Sequence, residues 1–354
     1  MVQDISERAE GEALRRSLLD YWKSHAIVAA VKLGIPDLLV DRKRSAVELA
    51  EKIEADESAL QRFLRALAAI GVTRDLGDGR FALTHAGASL ATDHPSRLAA
   101  TAMHVGSELI PAFPKLDECI RHGRPPAGIL YGSDGFAELN KDAAAAKIMN
   151  SALVASSRRY GIEVAHAYDF SQFGTIMDVG GGHGGLLVEL LKAAPKAEGV
   201  VLDLEHAEAG AKMLFAEQGI ASRARFVSAN FFEPLPEHAD CYVLKYILHD
   251  WPDTEAARIV GHVGDAARDS NGRVILVEQI MPDEVVEDPG HAAALYGDLA
   301  MMLWNGQERT RSQFRDLLAG GGLSLTRVLP LSDNLFAIEA IPASQNRNLR
   351  EDGS

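Results

Sequence analysis

The sequence predicts an α/β fold in which a doubly wound, mainly parallel sheet follows a helical, winged-helix-like N-terminal region. From about residue 172, short apolar runs alternate with helical stretches, the pattern of strands joined by crossover helices. Before that, two predicted helices and a hairpin follow one another, which is the order of a winged helix. A chain of 354 residues is long enough for two domains, and we predict one over residues 1–105 and a larger one over 106–354.

The helical region comes first. Residues 12–40 carry apolar side chains at near-helical spacing until Gly34 and Pro36 interrupt them, which predicts a helix, a break and a short helix. Ser45 and Glu48 have the spacing of a capping box that opens the next helix.

The second helix and the hairpin after it complete the winged-helix order. Asp56 starts this helix and Gly71 stops it, and residues 72–74 and 80–83 then flank a turn-rich stretch, as in a hairpin. A winged helix reads DNA through basic residues on its second helix, but this helix is nearly charge-neutral. We therefore expect the unit to pack against another subunit.

The larger domain contains the strand candidates. Five short apolar runs, each followed by a helical stretch or a turn, are predicted as parallel strands: 175–179, 199–204, 224–228, 240–244 and 273–277. Residues 323–329 and 335–340, separated by a turn-rich segment, are predicted to form an antiparallel edge.

Composition excludes several classes of protein. Acidic residues number 50 and basic residues 36, so the net charge of −14 repels phosphate backbones and anionic lipid. The N-terminus has no apolar leader, and no run approaches the ~20 apolar residues of a membrane span. Cys119 and Cys241 are too few for a disulfide framework. We expect a cytoplasmic protein with no nucleic-acid or membrane partner.

A glycine-rich loop directly after the first large-domain strand is the strongest single motif. Residues 178–185 read Asp-Val-Gly-Gly-Gly-His-Gly-Gly and lead into a helix, an arrangement that binds either a dinucleotide or S-adenosylmethionine. Asp178 would repel a pyrophosphate but suits a cationic amino group and sulfonium. The spacing of Gly180, Gly182 and Gly184 is also tighter than the dinucleotide pattern. Asp203, at the end of the next strand, is placed to accept both ribose hydroxyls.

Four segments together carry a family resemblance. They are Asp-Val-Gly-Gly-Gly-His-Gly at 178–184, Leu-Lys-Tyr-Ile-Leu-His-Asp-Trp at 244–251 with Asp253, Val-Glu-Gln at 277–279 and Gly-Gln-Glu-Arg-Thr at 306–310. In this order and spacing the sequence resembles the S-adenosylmethionine-dependent small-molecule O-methyltransferases of the caffeic-acid type, which include bacterial enzymes that tailor phenazines and aromatic polyketides. The resemblance covers nearly the whole chain.

The resemblance implies a seven-stranded Rossmann-like sheet, a homodimer formed through the N-terminal domain, and S-adenosylmethionine converted to S-adenosylhomocysteine without a metal. Its cofactor residues would be Asp178, Gly180, Gly182, Asp203, Asn230, Phe231, Lys245 and Trp251. Asn230 stands where the family has an aspartate; its amide oxygen can still accept from the adenine amino group, but without a charge, so we expect weaker cofactor binding. Trp251 is either a partner of the adenine or an ordinary core aromatic.

His249 is the candidate general base, with Asp250 beside it. Methyl transfer is an in-line displacement, so the acceptor oxygen must lose its proton and be held opposite the sulfonium. A phenol (pKa ~10) and a free imidazole (~6.5) differ by roughly 3.5 pKa units, about 5 kcal/mol, which a buried carboxylate reduces. By resemblance, Glu278 and Glu308 flank the imidazole and stabilise its charged form. The alternatives are that Glu278 is a strand-terminal carboxylate paired with an arginine and that Glu308 pairs with Arg309.

The acceptor pocket is expected to be apolar and suited to a flat aromatic. The resemblance places Met301, Met302, Trp304 and Asn305 on one wall, and Met103, His104 and Met149 complete it from the N-terminal half. Ordinary helix core is the alternative for any of these residues.

The predicted function is transfer of a methyl group to a hydroxyl of an aromatic natural product, of phenol or hydroxyphenazine type, with His249 as base. One alternative is an N- or N-hydroxy methyltransferase acting on a related heteroaromatic. Another is a winged-helix regulator that uses a degenerate methyltransferase domain as a ligand sensor; the net charge argues against that class.

Overall fold

The computed structural model describes residues 2–96, 98–125, 143–332 and 334–344; within them, side chains 2–10, 143–153, 155, 289 and 293 are not described. Contacts divide the chain into two compact units, Met1–Pro114 and Lys115–Ser354. The division lies after Pro114 and not at the predicted boundary after residue 105, which is the first residue of a π-helical turn, Val105–Leu109.

The first unit is mainly helical. Its helices are α1 Val2–Leu19, α2 Tyr21–Lys32, α3 Ile35–Leu39, α4 Ala46–Ile53, α5 Glu57–Ala69, α6 His85–Ala88, α7 Leu98–His104 and α8 Ile110–Ala112. The capping box of Ser45 and Glu48 is present, and Asp56 caps α5 by accepting a hydrogen bond from the backbone N–H of Ala59. Gly34 adopts a φ of +65°, which lets the chain turn between α2 and α3.

The predicted hairpin is confirmed. Strands β2 Thr73–Asp75 and β3 Arg80–Leu83 pair antiparallel, and a two-residue strand, β1 Arg44–Ser45, which was not predicted, pairs with β3. Two residues are too few to leave an alternating pattern in a sequence, so β1 is recognised only by its pairing with β3.

The second unit is built on the predicted sheet. Its strands are β4 Thr175–Val179, β5 Glu198–Asp203, β6 Ala224–Ser228, β7 Cys241–Lys245, β8 Arg273–Met281, β9 Arg309–Thr310, β10 Leu323–Pro330 and β11 Leu335–Pro342. Seven of them run in the order β10-β11-β8-β7-β4-β5-β6, and the short β9 pairs beside β8. Strands β4 to β8 are parallel, while β11 and β10 form the predicted antiparallel edge.

The helices of this unit are α9 Leu116–His122, α10 Ala143–Ala167, α11 Gly185–Ala193, α12 Glu208–Glu217, α13 Asp253–Ser270, α14 Pro289–Leu303 and α15 Arg311–Gly320. The sheet is covered on both faces. One apolar cluster packs around Leu187, Val201 and Phe215, and a second packs around Met177, Leu244 and Ile259. A parallel sheet buried on both faces explains why these strands have continuous apolar runs.

Within the described residues, no helix combines the length and the apolar character needed to cross a bilayer.

Candidate active site

The strand order reverses between β4 and β7. From β4 the sheet continues through β5 to β6 on one side, and through β7 to β8 on the other. Open α/β sheets bind ligands at the carboxyl ends of the strands at such a point. The glycine loop follows β4, and the segment that contains His249 follows β7, so both predicted motifs lie at this reversal.

Three loop glycines have positive φ angles: Gly180 at +70°, Gly182 at +56° and Gly184 at +80°. A Cβ on Gly180 would lie 2.5 Å from the side chain of Ile247, so this glycine allows close packing against the segment after β7. A Cβ on Gly182 would meet no atom within 4 Å. The middle of the loop therefore borders open space, which a ligand can occupy.

Asp178 lies one residue before the end of β4 and is buried. Its Oδ2 atom has no hydrogen-bond partner among the described residues. Burial raises the pKa of Asp178 to about 7, although the nearby Lys245 lowers it. Such a carboxylate suits a cationic ligand group, because a cation would satisfy the oxygen and restore the ionised form.

Asp203 ends β5 and holds the glycine loop. Its Oδ2 accepts a hydrogen bond of 2.7 Å from the backbone N–H of Gly182, and its Oδ1 accepts one of 2.7 Å from Leu204. Each carboxylate oxygen can accept a further hydrogen bond. Asp203 can therefore hold the glycine loop and also make the predicted contacts with ribose hydroxyls, which stay a prediction.

Asn230, Phe231 and Trp251 lie around an aromatic cluster. The side-chain oxygen of Asn230 accepts a 3.0 Å hydrogen bond from the backbone N–H of Phe232, so it already stabilises its own turn. Trp251 packs edge-on against Phe232, with ring centroids 4.7 Å apart, and more distantly against Phe231, at 6.3 Å. These contacts match the core-aromatic interpretation of Trp251, and its contact with an adenine stays a prediction.

His249 lies in a short 3₁₀ turn, Leu248–Asp250, and its side chain is 13% exposed. Its Nδ1 is 2.9 Å from Oε1 of the buried Glu308, which accepts the hydrogen bond. Its Nε2 is 3.3 Å from Oδ1 of Asp250, a side chain that is 48% exposed. Burial alone would lower the pKa of His249, but Asp250, Glu308 and Glu278 together raise it to about 9.

The alternative in which Glu278 is a strand-terminal carboxylate paired with an arginine is wrong. Strand β8 continues to Met281, so Glu278 lies inside the strand, fully buried, and no arginine among the described residues pairs with it. Its Oε1 accepts hydrogen bonds from the backbone N–H groups of Ile247, at 3.0 Å, and Leu248, at 2.9 Å. Burial raises the pKa of Glu278 to about 7, against the lowering effect of His249.

Glu278 and Glu308 therefore have different contacts around His249: Glu278 binds the backbone just before it, and Glu308 binds its ring. One ligand atom from each of these three residues lies within 4.8 Å of the others, so Glu278 is close to the imidazole without hydrogen-bonding to it. Glu308 contacts the ring directly. The alternative in which Glu308 pairs with Arg309 is wrong: Arg309 donates to the backbone oxygens of Leu248 and Trp251 and to Asp253.

Tyr246 was not predicted as a site residue. It has a φ of +52°, and its ring stacks on His249 with centroids 4.9 Å apart at 26°. Lys245 places its Nζ 4.6 Å from the centroid of the same ring, and burial lowers the pKa of Lys245. The apolar pattern of residues 240–244 does not indicate a site role for Tyr246. The residue follows the end of β7 in a left-handed conformation, which such a pattern does not record.

The predicted pocket residues lie in several environments. Met301 is buried and Met302 is half-buried on α14, whereas Trp304 and Asn305 follow its end. Asn305 is exposed at a φ of +65°, typical of the residue that ends a helix. Asp298, also on α14 and not predicted, accepts a 2.9 Å hydrogen bond from the backbone N–H of Glu308.

Three further pocket predictions lie elsewhere in the chain. Met103 and His104 are half-buried in the first unit, on α7, where burial lowers the pKa of His104. Met149 belongs to α10, but its side chain lies outside the described residues. All the pocket assignments stay predictions.

Two family models match the chain. An O-methyltransferase domain matches residues 113–324, and an O-methyltransferase dimerisation domain matches residues 16–93. The phenazine O-methyltransferase PhzM of Lysobacter antibioticus is 33% identical over 330 residues, 93% of this chain and 95% of that protein. The O-demethylpuromycin-O-methyltransferase of Streptomyces alboniger is 36% identical over 311 residues, 87% and 82% of the two chains.

Two solved structures of O-methyltransferases have the same fold as this chain. The mitomycin 7-O-methyltransferase MmcR has a TM-score of 0.86 at 33% identity, covering 96% of this chain and 99% of its own. The O-methyltransferase NcsB1 from neocarzinostatin biosynthesis, solved with S-adenosylmethionine and 2-hydroxy-5-methyl naphthoic acid, has a TM-score of 0.80 at 31% identity, covering 92% and 98%. With the glycine loop, the reversed strand order and His249 in place, the chain belongs to the family of S-adenosylmethionine-dependent O-methyltransferases that carry an N-terminal dimerisation domain.

Proposed function

We propose that this protein transfers a methyl group from S-adenosylmethionine to a hydroxyl of an aromatic natural product of phenol or hydroxyphenazine type, with His249 as the general base. The observation that carries the proposal is the pairing of His249 with the buried Glu308 at the strand reversal, next to the glycine loop. The phenazine- and naphthoate-related names of its relatives support an aromatic acceptor.

The cofactor site is proposed at the end of β4. Asp178 would hold a cationic group with its unpartnered oxygen, Asp203 would hold hydroxyls, and the space beside Gly182 would admit the ligand next to the backbone. Lys245, Gly180, Asn230, Phe231 and Trp251 complete the proposed set. When bound, S-adenosylmethionine supplies an electrophilic methyl group on a positively charged sulfur.

His249 is proposed to take the acceptor proton through Nε2. Because Glu308 accepts from Nδ1, the neutral ring keeps its lone pair on Nε2, which is the tautomer a base needs. With the pKa of His249 at about 9, the gap to a phenol of pKa ~10 shrinks to roughly one unit, about 1.4 kcal/mol. Asp250, half-exposed with Oδ1 3.3 Å from Nε2, would stabilise the imidazolium and accept the proton from it on the way to solvent.

The acceptor pocket is proposed to be lined by Met301, Met302, Trp304 and Asn305, with Met103, His104 and Met149 from the N-terminal half. Met301 and Met302 support this with apolar, polarisable side chains on the helix whose Asp298 holds Glu308.

We also propose a homodimer that works in the cytoplasm. The dimerisation-domain match supports the homodimer, as do the exposed apolar side chains of the N-terminal helices, with Leu14 70% and Leu18 77% exposed. Two free, buried cysteines support a reducing compartment.

Calorimetric titration of the purified protein with S-adenosylmethionine and, separately, with NADH tests the cofactor. Binding of the first alone at micromolar concentration is expected, and binding of NADH alone would overturn the proposal. Planar phenols, hydroxyphenazines and matched amino-substituted aromatics are then offered with methyl-labelled cofactor. Label on oxygen, lost in His249→Ala, supports the proposal; label on nitrogen that survives in His249→Ala would favour the N-methyltransferase alternative instead.

A further inference from the structure

The segment Ile247–Trp251, which carries His249, is fastened by hydrogen bonds from residues distant in sequence. Glu278 binds two of its backbone N–H groups, those of Ile247 and Leu248. On the other side, the backbone N–H of Gln307 donates a 2.9 Å hydrogen bond to the carbonyl oxygen of His249. A Cβ on Gly306 would lie 2.2 Å from that same oxygen, so the two segments are in close backbone contact.

Arg309 completes this attachment. Its side chain is 1% exposed, and its Nη1 donates to the carbonyl oxygen of Leu248 at 2.6 Å while its Nη2 donates to that of Trp251 at 2.8 Å. These two carbonyls lie on either side of His249 in the chain. Nε of Arg309 donates to Oδ1 of Asp253, the residue that begins α13, at 3.0 Å.

The residue before Arg309 is Glu308, which accepts from the imidazole itself. Two consecutive residues thus hold His249: Arg309 binds the backbone on either side of it, and Glu308 binds its ring. Arg309 is held in register because β9 pairs in parallel with the end of β8, placing Arg309 opposite Ile280. Glu278, which holds the same segment from its N–H side, lies two residues before Ile280.

Burial of the Arg309 guanidinium costs desolvation free energy, which its contacts have to offset. Removing a charged group from water costs several kcal/mol unless close partners compensate. Among the described residues its acidic partner is Asp253, whose side chain is 72% exposed and so contributes little. What arginine offers here is a rigid, planar set of donors that reaches two carbonyls at once, which a lysine ammonium cannot reproduce.

We propose that Arg309 is a positioning residue for the methyl transfer: by holding the carbonyls of Leu248 and Trp251, it sets the place of His249 relative to Glu308 and the acceptor. This inference rests on the proposed function, since it assigns to Arg309 an effect on the base.

The test compares Arg309→Lys and Arg309→Ala with the unmodified protein. A displacement of about 1 Å in a catalytic group costs about 10²-fold in rate, so we expect kcat to fall about tenfold in Arg309→Lys and about 10²-fold in Arg309→Ala. The affinity for S-adenosylmethionine should stay within about twofold, since among the described residues the Arg309 side chain hydrogen-bonds to one proposed cofactor residue, Trp251, and there only to the backbone oxygen. Added guanidinium should restore part of the lost kcat in Arg309→Ala.

Arg273→Lys is the matched control. Arg273 also belongs to this sheet and forms hydrogen bonds with Glu339 and Tyr168, but it is the first residue of β8, away from the segment that carries His249. Its replacement should lower the thermal midpoint without changing kcat. If Arg309→Lys behaves in the same way, with kcat intact, the positioning role is overturned.

An activity-independent measurement separates this inference from the proposed function. The His249 imidazole is titrated by NMR in the full-length protein and in Arg309→Lys. Loss of register with Glu308 is expected to lower the His249 pKa in the variant, whether or not an acceptor is found. An unchanged titration overturns the inference even if Arg309→Ala fails to fold, whereas absence of turnover in the unmodified protein counts against the proposed function alone.

Discussion

His249 Nδ1 and Glu308 Oε1 are 2.9 Å apart, although the two residues are 59 positions apart in the chain. Glu308 is itself oriented, because its backbone N–H donates to Asp298 at the middle of α14. The imidazole is therefore bound by a buried carboxylate whose backbone is anchored to α14. This arrangement serves a proton acceptor that must keep one tautomer through the reaction.

Replacement of His249 by alanine should lower kcat by about two orders of magnitude or more, since a positioned general base contributes roughly 10²–10⁴-fold. Calorimetry should show an S-adenosylmethionine affinity close to that of the unmodified protein. The exposed His238, replaced by alanine, is the control and should change neither quantity. Unaltered turnover in His249→Ala would remove the general-base role.

Turnover should depend on pH through His249. Its pKa is raised to about 9 in the free protein, and only the neutral imidazole accepts a proton, so kcat/KM should rise with pH toward about 9. Glu308→Gln removes an anion that favours the imidazolium, so the midpoint of this rise should move to lower pH. The maximal rate should also fall about tenfold, because hydrogen bonds to charged groups are worth roughly 1.5–3 kcal/mol. A midpoint that stays in place would contradict the assigned pairing.

Cofactor affinity should depend on pH through Asp178. Its pKa of about 7 means that the ionised form, which attracts a cation, gains population between pH 6 and pH 8. S-adenosylmethionine should therefore bind more tightly at pH 8, and Asp178→Asn should bind about tenfold more weakly with no such trend. The exposed Glu217, changed to glutamine, serves as the control. The same pH trend in Asp178→Asn would assign it to another group.

Methyl transfer should survive removal of divalent metal. His249, Glu278 and Glu308 are close enough to hold an ion, but Nδ1 of His249 already donates to Glu308, and Nε2 is the atom required for the acceptor. Dialysis against EDTA should therefore change kcat by less than about twofold, and added Zn²⁺ should inhibit by occupying the imidazole. Loss of activity on chelation, restored by Mg²⁺, would reverse this assignment.

The dimer should depend on the exposed apolar face of α1. Leu14 and Leu18 lie one helical turn apart, so Leu14→Glu with Leu18→Glu places two charges on that face. Light scattering should show a dimer for the unmodified protein and a monomer for the double variant. Arg16→Glu, on the opposite side of the helix, should remain dimeric. A double variant that remains dimeric would locate the interface elsewhere.

The sequence predicted the strands of the large domain to within a residue at most ends, because a sheet buried on both faces needs continuous apolar runs. The main exception is β8, which continues to Met281 instead of ending near residue 277. Its last residues pair with β11 and with the short β9. Those pairings come from distant parts of the chain, and they place Glu278 inside a strand and not at its end.

Local pattern therefore determined the order of the elements, the glycine loop after β4 and the presence of His249 at a strand end, since each depends on residues close together in sequence. Only the tertiary structure decided which contact each residue makes around the base. Glu308 accepts from the imidazole, Glu278 accepts from backbone N–H groups, Arg309 donates to backbone carbonyls, and Tyr246 stacks on the imidazole. A buried charged side chain binds those polar groups beside it that the fold has left without a hydrogen-bond partner. The resemblance implies that Glu308 flanks His249, with a Glu308–Arg309 pair only as the alternative. No spacing along the chain indicates that Arg309 binds the carbonyls of Leu248 and Trp251.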